Sequence, residues 1–62
     1  MTLVDKDGNE VMPGDVVDVL YADGSGAVGL EIIEIVISKK DIIARLSDGR
    51  FAGGASLRLV EM

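Results

Sequence analysis

The sequence predicts a single all-β domain spanning residues 1–62. Turn-forming residues recur at short intervals, and the segments between them are short and rich in Val, Ile and Leu, a pattern typical of small barrels and sandwiches. The turn signals are DGN at 7–9, PG at 13–14, DGSG at 23–26, SKKD at 38–41, DG at 48–49 and GG at 53–54. A chain this short buries only about 60% of its unfolded surface, so we expect marginal stability unless another molecule contributes.

Residues 5–10, DKDGNE, begin like the calcium loop of an EF-hand, with side-chain oxygens at the first three ligand positions. Two required residues are missing, since Glu10 stands where that loop needs its glycine and Val16 where it needs its bidentate glutamate. No helical pattern flanks the segment, as an EF-hand requires. We therefore predict a tight turn, without a metal, between the short strands Leu3-Val4 and Glu10-Val11.

Five longer strands are predicted after this turn. Their expected ranges are about 15–22, 28–37, 42–47, 50–52 and 57–61, with one 3₁₀ turn over 55–57 before the last strand. Alternation along a strand sends successive side chains to opposite faces of the sheet. On the first, third and fifth of these strands, the side chains predicted to face inward are Val17, Val19, Tyr21, Ile42, Ala44, Leu46, Leu57 and Leu59.

The segment GLEIIEIVI at 29–37 does not keep this alternation, because Glu31 and Glu34 are three residues apart. A β-bulge or a bend near Ile32-Ile33 would restore it. The side chains then predicted to face inward are Leu30, Ile32, Ile35 and Ile37, and those predicted to face outward are Glu31, Glu34 and Val36.

Apolar residues also fall on the faces that should meet water. They are Val16, Leu20, Val36, Ile43 and Val60. Single exposed apolar residues are ordinary, but five of them in one small domain indicate a patch that another copy or a protein partner would cover. We predict a contact surface made of Leu20, Val36, Ile43 and Val60, and hence a homo-oligomer or a complex with another protein.

The composition excludes several kinds of chemistry. The chain has no cysteine and no histidine, which removes disulfides, Cys-based metal sites, the usual general base near neutral pH and every nucleophile–histidine pair. Residues 24–29, GSGAVG, match the dinucleotide-binding pattern G-x-G-x-x-G, but strand-forming residues follow where that pattern needs a helix. We therefore predict a hairpin loop over Gly24, Ser25 and Gly26, no catalytic residues and no cofactor.

The charge of the chain indicates which partners it can bind. A net charge of −5 argues against general nucleic-acid binding, which needs cations to neutralise phosphates. The second half of the chain nevertheless carries a candidate basic patch. One alternative function is therefore a nucleic-acid-associated module that uses the basic residues of 39–58. The patch consists of Lys39, Lys40, Arg45 and Arg50.

Because no apolar run approaches the ~20 residues that span a bilayer and no signal peptide is visible, we expect a cytoplasmic protein without membrane contact.

Two segments resemble the SH3-like small barrels of short bacterial and phage proteins. Residues 4–19, VDKDGNEVMPGDVVDV, resemble the first turn and strand of such barrels, and residues 45–61, RLSDGRFAGGASLRLVE, look like their last two turns. The resemblance implies an SH3-like barrel of about five antiparallel strands, a layout shared with KOW-type and Tudor-like domains.

The departures from these relatives shape the expected function. KOW-type domains that contact RNA present basic loops, whereas the early loops here are acidic, and Tudor-like domains use an aromatic cage, whereas Tyr21 and Phe51 are the only aromatic residues here. The plasmid-type trimethoprim-resistant dihydrofolate reductase builds its site in a pore between four barrels, but its Val-Gln-Ile-Tyr segment has no counterpart in this chain. We expect a non-catalytic interaction or structural module that self-associates, with an oligomeric enzyme whose site is shared between copies as the second alternative.

Overall fold

The computed structural model describes residues 2–60 and is all-β, with one 3₁₀ turn, Gly54–Ser56. The strands are β1 (Leu3–Val4), β2 (Glu10–Val11), β3 (Val16–Leu20), β4 (Gly26–Ile37), β5 (Ile42–Leu46), β6 (Phe51–Gly53) and β7 (Leu57–Leu59). The predicted strands and the 3₁₀ turn are thus confirmed, with ends that differ by one or two residues. The predicted last strand reaches Glu61, which lies outside the described residues. No helix in this part of the chain is long and apolar enough to cross a membrane.

The strands form a five-stranded antiparallel sheet and a separate two-stranded hairpin. The order in the larger sheet is β6-β5-β4-β3-β7, and β1 pairs with β2. The central strand β4 is shared, because its first half pairs with β3 and its second half with β5. The two halves of the sheet therefore meet along one strand of 12 residues.

Two bulges interrupt β4. Ile33 is the extra residue of one, since the register against β5 shifts between Ile32 and Glu34, which confirms the bulge predicted from the spacing of the glutamates. The other bulge was not predicted from the sequence, and in it Val28 and Gly29 together oppose Asp18 of β3. Gly29 has a φ of +70°, a conformation that glycine adopts without strain. Each bulge bends β4 and changes the direction in which the following side chains point.

The core lies beneath the shared sheet and the β1–β2 hairpin. Its buried members are Leu3, Val11, Val17, Val19, Ile32, Ala44, Leu46, Ala52 and Leu57. Tyr21, Leu30, Ile35, Ile42 and Leu59 pack against them. This confirms the predicted inward faces except at Ile37, whose prediction is wrong: the side chain is 57% exposed, because it stands at the end of β4 beside the 38–41 turn and beyond the core.

Candidate functional site

An outward surface on β3, β7 and the start of β4 exposes several apolar side chains. We call it the β3–β7 face and define it by Val16, Asp18, Leu20, Val28, Arg58 and Val60. Its apolar members are exposed by 39% at Val16, 56% at Leu20, 78% at Val28 and 36% at Val60. Val16 and Leu20 alternate along β3 with the buried Val17 and Val19, so they point away from the core.

Strand pairing makes this face continuous. The Val60 N–H donates to the Val16 carbonyl at 3.0 Å, so these two valines are neighbours across the strands. Asp18 is the direct partner of Arg58 in the next row. Beyond that row, Leu20 and Val28 line a depression of about 240 Å³, which Arg58 also borders. The apolar residues therefore flank one central pair of opposite charges.

The central charges are only partly neutralised within the chain. Arg58 Nε lies 3.5 Å from Asp7 Oδ2, a longer separation than the 2.6 and 2.7 Å of the two other ion pairs among residues 2–60. Its side chain is 64% exposed. Asp18 accepts a hydrogen bond from the Gly29 N–H at 3.0 Å, which holds it beside the second bulge. Both groups can therefore make a further contact at the surface.

The acidic turn that resembled a calcium loop holds the β1–β2 hairpin against β7 next to this face. Asp5 is only 5% exposed, and its carboxylate accepts four hydrogen bonds. The Asp7 and Asn9 N–H groups and the Asn9 side-chain amide donate within the turn, at 3.0, 2.7 and 3.3 Å. The fourth donor is the Leu59 N–H of β7, at 2.8 Å. Both carboxylate oxygens thus accept hydrogen bonds from within the domain.

This environment shifts the ionisation of Asp5. Burial alone would raise the pKa of the carboxyl group, because it disfavours the charged form. The hydrogen bonds from Leu59, Asn9 and Asp7 stabilise the charged form and outweigh that effect, so the pKa of Asp5 lies below its ordinary value of 3.8. The carboxylate is therefore a structural anion that caps the turn and the edge of β7.

The four predicted contact residues separate into two pairs. Leu20 and Val60 belong to the β3–β7 face, and both are exposed. Val36 and Ile43 are half-buried and pair directly with each other on β4 and β5, at the opposite end of β4 from Leu20. Val28, which completes the face, was not among the predicted contact residues: it was predicted to begin the strand at about 28–37, but no face of that strand was assigned to it, and the strand in fact begins at Gly26.

The four residues of the candidate basic patch also lie apart. Lys39 and Lys40 occupy the turn between β4 and β5, whereas Arg50 follows the turn at the other end of β5. Arg45 Nε binds Glu34 Oε1 at 2.7 Å, and Arg50 Nε binds Asp48 Oδ2 at 2.6 Å. The two arginines therefore have acidic neighbours, and the fold does not gather the four cations into one surface.

Several acidic side chains accept hydrogen bonds within turns, and the acidic residues form no common centre in the described part of the chain. Within residues 2–60, no three of them lie close enough to hold a metal ion. Asp15 accepts from the Met12 N–H at 3.0 Å, and Asp23 accepts from the N–H and hydroxyl of Ser25 at 2.9 and 2.6 Å.

Comparison with protein-family models, with curated proteins and with solved structures finds no match for the chain.

Proposed function

We propose that the protein is an SH3-like barrel that acts as a non-catalytic interaction module and associates with a second copy of itself through the β3–β7 face. The strand order β6-β5-β4-β3-β7, a long bulged strand shared by two half-sheets, and a 3₁₀ turn leading into the last strand all agree with the SH3-like arrangement that the sequence resembles. Because one fold serves many functions, the functional part of the proposal rests on the surface.

The observation that carries the proposal is the exposure of four apolar side chains on one continuous face. Removing apolar surface from water favours association by roughly 25 cal/mol per Å². A stable interface buries about 800 Å² on each partner, which is about a fifth of the 4074 Å² accessible surface of this chain. A domain of 62 residues has a small core, so burying this face would also add to the stability of each copy.

The charges on the face favour a second copy as the partner. A two-fold interface brings the same patch of each copy together, so the patch must complement itself. Asp18 and Arg58 stand side by side at its centre. If β3 of each copy lies antiparallel over β7 of the other, Asp18 of each copy faces Arg58 of the other. The apolar residues would then meet around two ion pairs, with the exposed Arg58 exchanging its long contact to Asp7 for a shorter one.

Replacing Leu20 by aspartate is expected to weaken this association by about two orders of magnitude, because a charge would replace an apolar contact that flanks the central ion pairs. Sedimentation velocity should show the mass in solution reduced by half relative to the wild type. Met12→Asp is the matched control, since Met12 is 53% exposed against 56% for Leu20 and lies in a turn outside the face. An unchanged mass for Leu20→Asp would contradict the proposal, as would an equal reduction in both variants.

A further inference from the structure

The second half of β4 has an open edge that the β3–β7 face does not include. β3 pairs with β4 only as far as Glu31, and Ile32 exchanges backbone hydrogen bonds with Gly14 and Asp15 at 2.9 Å. From residue 33 to residue 37, β5 pairs with one side of β4, and within the described part of the chain no strand pairs with the other side. Such an edge presents unpaired N–H and C=O groups that can accept another strand.

The hydrogen-bonding pattern identifies the backbone groups on this edge. Ser38 and Asp41 close the turn with an N–H to C=O bond of 2.8 Å, so they form a hydrogen-bonded pair. Hydrogen-bonded and non-bonded pairs alternate along antiparallel strands, so Val36 is bonded to β5 while Ile35 and Ile37 direct their N–H and C=O groups to the open side.

The pairing of β5 with β6 gives the same assignment independently. The Leu46 N–H donates to the Arg50 carbonyl at 2.8 Å, which makes this a hydrogen-bonded pair toward β6. Two residues earlier, Ala44 must also direct its backbone groups toward β6. Ile35, the partner of Ala44 on β4, is then left without backbone bonds to β5.

We propose that two copies of the chain pair edge to edge through β4, antiparallel and about a two-fold axis at Val36. In this register Ile35 of one copy lies opposite the partner's Ile37, and Ile37 lies opposite the partner's Ile35. All four outward backbone groups of each copy are then satisfied by four interchain hydrogen bonds. The result is one continuous sheet that crosses the two molecules.

The side chains on this edge also complement those of a second copy. Val36 meets the partner's Val36 next to the half-buried Ile43, and Ile37, which is 57% exposed, gains a cross-strand isoleucine. Glu34 lies opposite the partner's Ser38 and next to the partner's Lys39, which favours this register electrostatically. A two-fold axis at Glu34 would instead place two glutamates opposite each other, an unfavourable pair.

Ile37→Pro tests the hydrogen bonds of this edge. Proline removes the Ile37 N–H, which faces the open side, while the exposed side chain contributes little to the core. Ile37→Thr is the matched control, because threonine keeps the N–H and the β-branched shape. We expect sedimentation velocity to give half the wild-type mass for Ile37→Pro and the wild-type mass for Ile37→Thr at high protein concentration. A wild-type mass for Ile37→Pro would overturn the inference.

Amide hydrogen exchange in the wild-type protein gives a second readout that needs no substitution. The Ile35 and Ile37 amides should exchange at least tenfold more slowly in the associated state than after dilution, because each becomes hydrogen-bonded across the edge. Equal and fast exchange of both amides at every concentration would overturn the edge contact.

The two contacts fail separately. If only the β3–β7 face associates, Leu20→Asp halves the mass and Ile37→Pro leaves it unchanged; if only the β4 edge associates, the two variants exchange these results. When both contacts form, the wild type is an assembly of four or more copies, each single variant is reduced to a dimer, and the double variant is a monomer, since two different two-fold interfaces in one chain build a larger assembly.

Discussion

Replacing Asp5 by alanine is expected to lower the free energy of unfolding by about 3 kcal/mol, because three backbone and side-chain donors of the turn and one of β7 would lose a buried charged acceptor. A domain of this size has a total stability of about 3–9 kcal/mol, so the variant would lose between about a third and all of it. Urea denaturation followed by circular dichroism measures the change directly.

Asp23→Ala is the matched control for this experiment. Asp23 also accepts hydrogen bonds from its own turn, and they lower its pKa through the Ser25 hydroxyl and N–H, but the carboxylate is exposed to water. Solvent replaces much of what that substitution removes, so its effect on stability should be much smaller. Equal losses of stability in the two variants would show that burial of the Asp5 carboxylate and its bond to β7 do not matter.

The pH dependence of stability follows from the direction of the Asp5 shift. Because the pKa is lowered in the folded state, the ionised carboxylate contributes stability that is fully present above the unfolded value near 3.8. That contribution is lost as the pH falls through the lower folded pKa. Asp5→Asn should therefore lose less stability than the wild type between about pH 5 and pH 2. Parallel curves for the two proteins over this window would contradict the assignment.

Gly54→Ala is expected to destabilise the domain by about 2 kcal/mol or more, because the added methyl group would overlap the Val4 carbonyl. Val4 belongs to the β1–β2 hairpin and Gly54 begins the 3₁₀ turn, so the substitution would push the hairpin away from the core. The rigid backbone of Val4 cannot move aside as a flexible side chain could.

Gly53→Ala provides the control one residue earlier. An added methyl group at Gly53 would meet no atom within 4 Å, and its φ lies in the ordinary range. We expect a change within about 0.5 kcal/mol, with any gain coming from the smaller freedom of alanine in the unfolded chain. Thermal unfolding of both variants separates close packing at Gly54 from a general effect of lost glycine flexibility.

The parts of the fold that were predictable from the sequence depend on local chemistry. The DG and PG signals placed the turns, and alternation placed the buried faces of β3, β5 and β7, because both are properties of a few neighbouring residues. The Glu31 and Glu34 spacing likewise located the bulge near Ile33. Other features depend on residues far apart in sequence. Asp5 binds β7 across 54 residues, and Gly54 lies against Val4, and neither contact leaves a local pattern.

The candidate site was predictable only in part for the same reason. Alternation correctly placed Leu20 and Val60 on an exposed face, but it cannot tell which strands are neighbours. Val36 therefore joined them in the prediction, although β4 is long enough to carry it to the other half of the sheet. Val28 was predicted to begin a strand, but no pattern in the sequence marks the bulge that it forms with Gly29, so its outward direction was not predicted.

We propose above that copies of the chain associate through outward apolar side chains. Multi-angle light scattering of the wild-type protein across a tenfold concentration range measures this association without any substitution. We expect a mass of at least twice the 6.5 kDa of one chain at the upper end of the range, falling toward 6.5 kDa on dilution if association is weak. A mass of 6.5 kDa throughout, at concentrations up to about 1 mM, where even weak specific contacts are populated, would contradict it.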